Sequence, residues 1–305
     1  MTHIPNLYWE AAQKLSRQKL VVVCLGIIAI YILVALLGGF NVLPDYQTRV
    51  GAEYEAPSFE LAKLLGTDLF GRSVLYKILA GTKTAMLIGV LVTSISVPIG
   101  VILGALAGYY GGLVDVGIVW LYTVISSVPY ILMVIAISYV IGKGLVAICL
   151  AMGLLGWVGL CRLIRSEVLK TRNLEYVAAA RVIGANDLQI IFSHILPNVI
   201  HLAIISASLQ ILGAIKSEVI LTYIGVGIQD GASWGAMISD ATGELVQGIW
   251  WPLAGVVLAM FLLIYSLNVV SDALRDALDP KLRGTTEVAE GNSQVEVKEA
   301  AVQKA

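Results

Sequence analysis

Six apolar runs dominate this sequence, and each is close to the roughly 20 helical residues that cross a lipid bilayer. Hydrophobic residues make up 58% of the 305 positions and charged residues 13%, more apolar than a soluble domain requires. The runs lack the amphipathic periodicity of surface helices. We therefore predict an all-α integral membrane protein with six transmembrane helices, which contact membrane lipid. The predicted spans are residues 20–39, 85–107, 116–141, 145–161, 199–227 and 250–270.

Positive charges orient these six helices. With the N-terminus in the cytoplasm, the inner segments hold 13 of the 20 Lys and Arg residues and the outer segments hold 6. An excess of positive charge on the cytoplasmic side is the rule for short loops of membrane proteins. The expected topology is N-in and C-in, with inner segments at residues 1–19, 108–115, 162–198 and 271–305.

The segments outside the apolar runs suggest no second soluble domain. Residues 1–19 are expected to form a short amphipathic helix on the inner surface, and the polar residues 284–305 a disordered tail. The long outer loop, 40–84, is acidic in its first part, and from Leu75 onward it can continue as a helix into the second run. The six-span domain is therefore expected at residues 20–283.

Composition and motifs exclude several functions. The formal net charge of −1 argues against binding to nucleic acid. No phosphate-binding loop of the type G-x-x-x-x-G-K-[ST] occurs, so any ATP chemistry has to come from another chain. The cysteines lie in or next to apolar runs without the spacing of metal ligands, so we expect neither a metal site nor a disulfide from Cys24, Cys149 and Cys161.

Two prolines interrupt the apolar runs. Pro98 and Pro129 lie near the middle of the second and third runs, each with serines nearby. Proline removes a backbone hydrogen bond, which a membrane helix tolerates where neighbouring groups replace it. Gly100, Gly104 and Gly108 are four residues apart and predict close helix packing. The prolines are either kinks in an ordinary bundle or hinges that gate a bundle that changes shape, and the sequence leaves both open.

Residues 175–198, EYVAAARVIGANDLQIIFSHILPN, form a polar segment between two apolar runs. Its alanine-rich first part predicts a helix that ends at Gly184. Asn186 can cap a second helix, with Gln189 in a capping-box position. Pro197 is expected to end this second helix before the fifth run begins.

The second helix carries an apolar stripe that could bind another protein. Leu188, Ile191 and Phe192 share one face, and such a face can enter a groove on another protein and transmit a rigid-body movement. The alternative is an ordinary re-entrant or interfacial helix that lies on the membrane.

Lys216 and Glu218 are the charged residues within the fifth run. Ionisable groups inside a membrane are costly and normally face a cavity or a partner. Two positions apart on a helix, they point in nearly opposite directions and are not expected to pair with each other. Either each meets an opposite charge on a neighbouring helix or subunit, or they line a translocation pathway.

The polar segment resembles the cytoplasmic EAA loop of ABC-importer permeases, in which A-A-x-x-x-G precedes an aliphatic-x-Leu-Pro ending. Residues 194–198, H-I-L-P-N, match the version in the peptide and nickel branch. Ala178 occupies the position of the motif's usual Glu, so the role of that carboxylate is not assigned to Glu175. The resemblance implies that residues 162–198 contain a coupling helix that docks on an ATPase, with Glu175, Ala179, Ala180, Gly184, Asn186, Leu188, Ile191, Phe192 and Pro197 as candidate docking residues.

Three further motifs extend the resemblance over residues 10–283. Residues 66–73, GTDLFGRS, are similar to the outer-loop signature G-T-D-x-x-G-R-D, with Ser73 in place of the last Asp. Residues 225–235 resemble the family's L-G-L-G…S-W-G region with a shorter linker, and residues 268–280 resemble its closing L-R-D-x-L-D-P region. The outer signature either forms a turn and helix start or contacts a binding protein and closes the outer gate, through Thr67, Asp68, Gly71 and Arg72.

The resemblance implies a type I ABC-importer permease fold and a second permease subunit of a dipeptide or oligopeptide importer in a prokaryotic inner membrane. The implied partners are a sister permease, two ATPase subunits and an extracytoplasmic solute-binding protein. ATP and Mg²⁺ would bind to the ATPase subunits, while this chain would bind no cofactor and catalyse no reaction. Nickel or nickel-chelate import is an alternative within the branch. An ion-coupled transporter or channel using Lys216 and Glu218, and a structural membrane protein, are alternatives outside it.

Overall fold

The computed structural model describes residue 9 and residues 13–142, 144–228 and 231–278, and the regular structure there is helical apart from two isolated β-bridges and a short 3₁₀ turn. Most of the predicted amphipathic lead and the whole predicted tail, 284–305, lie outside the described residues. The main helices are α1 (Lys19–Gly39), α2 (Val74–Tyr110), α3 (Gly112–Ser126), α4 (Tyr130–Ile141), α5 (Leu145–Leu155), α6 (Val158–Thr171), α7 (Glu175–Val182), α8 (Asp187–Tyr223), α9 (Trp234–Val246) and α10 (Trp251–Leu278).

Up to six membrane spans are present among the described residues by length and composition. Five continuous helical segments qualify alone, and the bent pair α3–α4 makes a sixth. This confirms the predicted all-α, six-span protein. The helices extend beyond the apolar runs, since α2 begins at Val74 and the α5–α6 span continues to Thr171. Apolar composition locates the part of a helix in lipid, whereas backbone hydrogen bonding continues past it.

The third span differs from the predicted continuous run at 116–141. Its two helices, α3 and α4, are bent by 91° at residues 127–129. Proline disfavours the helical conformation of the residue before it, so the helix ends ahead of Pro129 instead of bending through it. Pro98, in contrast, lies inside α2 without ending it. That part of α2 packs against α6 and α8, which hold the helix together around the proline.

Helix α2 is central to the bundle and lies unusually close to α6. A Cβ atom at Gly104 would lie 2.7 Å from the carbonyl oxygen of Cys161. A Cβ atom at Gly108 would lie 2.8 Å from the carbonyl oxygen of Arg165. Side chains larger than hydrogen would therefore push the two helices apart, which confirms the predicted close packing of this glycine seam.

Helix α1 lies at the edge of the bundle. Its Tyr31 hydroxyl donates a hydrogen bond to the Ala259 carbonyl of α10 at 2.7 Å, while most of its other apolar side chains are exposed, as in a lipid-facing helix. Following the charge distribution, we call the side with the α2–α3, α6–α7 and α7–α8 connections the inner side. The α1–α2 loop and helix α9 lie on the outer side.

Candidate functional site

Helices α7 and α8 meet at a glycine turn on the inner side, as the sequence predicted. We call residues 175–195 the inner corner. Gly184 has φ +96°, a conformation that favours glycine, and a Cβ atom there would meet nothing within 4 Å. The Asn186 side chain accepts a hydrogen bond from the Gln189 backbone N–H at 2.8 Å, which is the predicted cap. The corner is therefore a defined turn between two helices.

The prediction that Pro197 ends the second helix is wrong. Helix α8 continues without a break from Asp187 to Tyr223, through a π-helical segment at Ile190–Ile195 and then Leu196–Tyr223. Pro197 lies in the first α-helical turn after the π segment, where a missing N–H is tolerated. The inner corner is consequently continuous with the membrane span.

The predicted stripe divides between the inside and the outside of the molecule. Ile191 is only 1% exposed, whereas Leu188 and Phe192 are 56% and 57% exposed. Val182 and Ile183, which the sequence did not single out, are 87% and 86% exposed on the other side of the turn. These four exposed residues form what we call the corner patch, namely Val182, Ile183, Leu188 and Phe192.

The other candidate docking residues have different positions. Glu175 and Ala179 are exposed on α7, and Ala180 is buried.

Val182 and Ile183 lie at the end of a short helix, just before Gly184, and this position was the sequence signal for their exposure. An eight-residue helix can bury one face only, and α7 uses Val177 and Ala180 for that purpose.

The buried underside of the inner corner rests on α2 and α6. Val177, Ile190 and Ile191 belong to one apolar cluster with Tyr109 of α2 and Ile164 of α6. This packing supports the corner patch from below, so a force on the patch reaches the membrane spans and does not merely deform a loop.

The outer segment, residues 66–73, turns its signature side chains inward. The Thr67 hydroxyl donates to the Ala52 carbonyl and accepts from the Glu55 N–H, both at 2.7 Å. One Asp68 oxygen accepts from the backbone N–H groups of Phe70 and Arg72 at 2.9 Å. The structural interpretation of Thr67 and Asp68, as a turn before a helix, therefore fits their geometry.

Further contacts attach the outer segment to the spans. The second Asp68 oxygen pairs with the Lys77 ammonium of α2 at 2.7 Å. The Trp251 indole N–H of α10 donates to the Thr67 carbonyl at 3.1 Å. Gly71 has φ +69° and lies against the Gly51 carbonyl, so glycine is required there. Arg72 is half-buried and stacks on the Phe70 ring, 4.8 Å from its centroid.

An outer cavity of about 670 Å³ opens beside this segment, between the α1–α2 loop, the end of α8 and helix α9. Arg72 and Phe70 line it, together with Tyr223 and Asp240. Arg72 is thus the candidate from the outer signature whose side chain reaches an open surface.

Helix α9 is fixed by the residues of the S-W-G motif. The Ser233 hydroxyl caps α9 by accepting from the Ala236 N–H at 3.1 Å. The fully buried Trp234 donates its indole N–H to the Ile78 carbonyl of α2 at 3.2 Å, and its ring packs on Gly81. These residues therefore hold the outer helix against the bundle.

Lys216 and Glu218 point to different environments, in agreement with the prediction that they do not pair. Glu218 is 1% exposed and accepts a hydrogen bond from the Thr222 hydroxyl at 2.9 Å, and that hydroxyl accepts from the Ile228 N–H. Within the described chain no basic group pairs with Glu218, and its second oxygen has no hydrogen-bond partner. Lys216 is exposed on the opposite side of α8.

Lys216 belongs to a polar face of α8 that sequence analysis did not identify. Ser206, Gln210, Gly213 and Ser217 lie on the same side at three- and four-residue spacing, which was the missed signal. We call these residues, with Lys216, the α8 polar face.

Two cavities follow the inner half of this face. One, of about 190 Å³, is lined by Ser206, Gln210, Gly156 and Gly159. The second, of about 670 Å³, shares Ser206 and extends to His201 at the inner side. The two cavities adjoin at Ser206, on the part of α8 nearer the inner side.

The described residues offer no metal centre. No group of three or more His, Cys, Asp or Glu side chains is placed to hold an ion in the described ranges. Cys24, Cys149 and Cys161 are buried and form no disulfide there. The candidate sites in the described ranges are therefore surfaces and cavities.

Residues 100–284 match the family described as "Binding-protein-dependent transport system inner membrane component". The chain is 35% identical over 275 residues to the dipeptide transport system permease protein DppC of Bacillus subtilis, covering 90% of this chain and 86% of that protein. It is also 35% identical over 280 residues to the oligopeptide transport system permease protein OppC of Haemophilus influenzae, covering 91% and 90% of the two chains.

A solved structure supports the same fold. A chain of the MetNI methionine ABC transporter, in an inward-facing conformation, aligns with a TM-score of 0.50 and 16% identity over 67% of this chain and 94% of that chain. This likeness confirms the expected ABC-importer permease fold. The family match covers more than half of the sequence and marks a multi-pass transport component rather than an enzyme. The chain therefore belongs to the family of inner membrane components of binding-protein-dependent transport systems.

Proposed function

We propose that this chain is one of two permease subunits of an ABC importer for di- and oligopeptides, and that it forms half of the translocation pathway. The observation that carries the proposal is the corner patch, an exposed apolar surface on a corner that is continuous with α8 and packed on α2 and α6. The two relatives named as dipeptide and oligopeptide permeases support the substrate class.

The corner patch is the proposed binding surface for one of two partner ATPase subunits. An apolar patch of this kind on an otherwise polar segment is typical of a protein–protein contact. ATP binding and hydrolysis by those subunits, with Mg²⁺, would push the inner corner. Because α8 runs unbroken from the corner into the membrane, the push changes the access of the pathway from one side to the other.

The α8 polar face is the proposed wall of the pathway. Its hydroxyl and amide groups can hydrogen-bond to a peptide backbone, and Lys216 can attract a peptide carboxylate. Gly213 leaves room, since a Cβ atom there would meet nothing within 4 Å. Glu218 is buried away from this face, and we assign it a supporting role beneath the loop that follows α8. The break at Pro129 is the proposed flexible point of the gate, whereas Pro98 lies inside the continuous helix α2.

The outer cavity is the proposed contact region for the extracytoplasmic binding protein. Arg72 and Phe70 reach the open surface there, while Thr67, Asp68 and Gly71 hold the loop in shape. A sister permease would complete the pathway opposite the α8 polar face.

The test is peptide uptake into vesicles that contain this chain, its sister permease and both ATPases, with the binding protein on the outer side. We expect uptake to require the ATPases and hydrolysable ATP. Lys216→Met should lower uptake on the order of tenfold without loss of assembly, the effect of one charge-assisted contact. Lys170→Met, an exposed inner lysine in an i,i+3 pair, is the control. Uptake driven by a proton gradient without the ATPases would contradict the proposal.

A further inference from the structure

Tyr109, near the inner end of α2, is buried directly beneath the inner corner. Its hydroxyl donates a hydrogen bond to a carboxylate oxygen of Asp187 at 2.6 Å and accepts one from the Arg181 guanidinium at 3.3 Å. Arg181 lies in the last turn of α7, and Asp187 is the first residue of α8. A single hydroxyl therefore joins both sides of the Gly184 turn to α2.

A second set of contacts fixes the same end of α2. The Arg172 guanidinium donates to the carbonyl oxygens of Gly108 and Tyr109 at 2.9 Å and 3.1 Å. Arg165 of α6 forms a two-pronged ion pair with Asp115 at the start of α3. These contacts hold α2, α3 and α6 together. The Tyr109 hydroxyl forms the hydrogen bonds that attach the inner corner to these three helices.

Helix α2 connects the inner corner to the outer segment. It is 37 residues long, which corresponds to about 55 Å at the helical rise per residue. Its outer end begins directly after the segment 66–73 and is anchored by the Lys77–Asp68 ion pair. One rigid helix thus has the corner at one end and the lining of the outer cavity at the other.

We propose that Tyr109 is a positioning residue that couples movement of the inner corner to α2 and, through α2, to the outer segment. The inference rests on the proposed function, because it takes the inner corner as the place where the ATPases act. With the hydroxyl in place, α7 and α8 move together with α2. Without it, apolar packing alone attaches the corner to α2, and the turn at Gly184 can absorb part of the movement locally.

The test compares Tyr109→Phe with Tyr110→Phe in the complete transporter, reconstituted in vesicles with its binding protein. Tyr110 is exposed, and its hydroxyl makes no hydrogen bond among the described residues. We measure ATP hydrolysed per peptide transported, and the ATP-dependent change in maleimide labelling of a cysteine placed at the exposed outer Leu69. The native cysteines are buried, which keeps background labelling low.

Tyr109→Phe is expected to hydrolyse ATP but to consume about tenfold or more ATP per peptide, the size of effect of one hydrogen bond to a charged group. The variant should also lose the ATP-dependent change in labelling at Leu69. A variant that is only less stable should keep that change. Tyr110→Phe should match the unaltered chain in both readouts. Asp187→Ala removes the acceptor without changing the tyrosine ring and should reproduce the defect, so it carries the test where Tyr109→Phe fails to assemble.

The inference is overturned if the unaltered chain is ATP-coupled and the assembled Tyr109→Phe or Asp187→Ala variant keeps the normal ATP-to-peptide ratio and labelling change. Transport by the unaltered chain that does not depend on the ATPases would instead overturn the proposed function. The two failures are therefore distinguished by the behaviour of the unaltered chain.

Discussion

The inner corner and the outer segment lie at opposite ends of the same bundle, and each contains a recognisable motif. The side chains of the two motifs are placed in opposite ways. The outer segment turns Thr67 and Asp68 inward and satisfies their polar groups within the loop. The inner corner turns apolar side chains outward, with Ile183 and Phe192 exposed on a supported turn. A motif can therefore hold a structural unit together or present an exposed apolar surface, and burial tells the two apart.

The difference has a chemical cause. A carboxylate such as that of Asp68 can be fully satisfied by two backbone N–H groups and a lysine, which favours burial within the loop. The short helix α7 can bury only one face, so the residues before Gly184 have no core to enter. Substitutions in the two regions should therefore affect different properties of the protein.

The largest effect is expected at the outer segment. Asp68→Ala removes the partner of the largely buried Lys77 ammonium and leaves two N–H groups without an acceptor. Removal of one partner of a buried ion pair costs about 3–5 kcal/mol, so the protein should accumulate poorly and lose its compact form in detergent. Fluorescence-detected size exclusion and thermal unfolding measure this. Glu60→Ala, at an exposed carboxylate of the same loop, should change neither quantity.

The next effect separates the two faces of the inner corner. Ile191→Ala empties a buried position and should lower the free energy of unfolding by about 2–4 kcal/mol. Phe192→Ala should leave stability nearly unchanged but weaken ATPase binding by about 2 kcal/mol, as expected for an aromatic contact residue. Thermal unfolding and co-purification with the ATPases measure the two effects. Equal behaviour of these neighbours would contradict the contrast between buried support and exposed patch.

A smaller effect is expected where α10 meets the outer segment. Trp251→Phe removes the indole N–H that donates to the Thr67 carbonyl and should cost about 1 kcal/mol of stability. The adjacent Trp250 is exposed and its indole N–H makes no hydrogen bond among the described residues, so Trp250→Phe is the matched control. A thermal midpoint lowered by the first change and unmoved by the second supports the account. Identical midpoints would show that this hydrogen bond does not anchor the loop.

The smallest effect is a pH dependence of the outer loop. Hydrogen bonds from the Lys63 ammonium and the Ala52 N–H lower the pKa of Glu55 below its ordinary value of 4.5. A lowered pKa in the folded state means that the contribution is present above 4.5 and is lost as the pH falls through the folded pKa. Proteolysis of the loop should therefore increase slightly below pH 4.5, and Glu55→Gln should remove that dependence. An unchanged dependence in the variant would exclude Glu55 as its source.

Much of the fold could be predicted because bilayer thickness fixes how long an apolar run must be. The six spans, the Gly184 turn and the Asn186 cap all follow from local sequence rules. The 91° break at Pro129 and the continuous helix through Pro197 could not, because the same residue type ends one helix and is absorbed in another. The outcome depends on packing: a π segment precedes Pro197 within a buried cluster.

The candidate sites were predictable in location and less so in detail. Helical spacing grouped Leu188, Ile191 and Phe192 together, but only packing on α2 and α6 reveals that Ile191 is buried. The spacing of Ser206 and Gln210 already indicated the α8 polar face. The interpretation of the sequence considered only the nearby charged residues Lys216 and Glu218. The role of Tyr109 depends on contacts between residues more than 70 positions apart, which no local pattern contains.

The most direct test of the account is site-specific photo-crosslinking of the assembled transporter. A photoreactive residue at Ile183, in the corner patch, should link this chain to an ATPase subunit, and the yield should change when ATP is added. The same group at Phe59, an exposed residue of the outer loop, should give no link to the ATPase. Absence of an ATPase link from Ile183 in an assembled and active transporter would contradict the claim that energy enters at the inner corner.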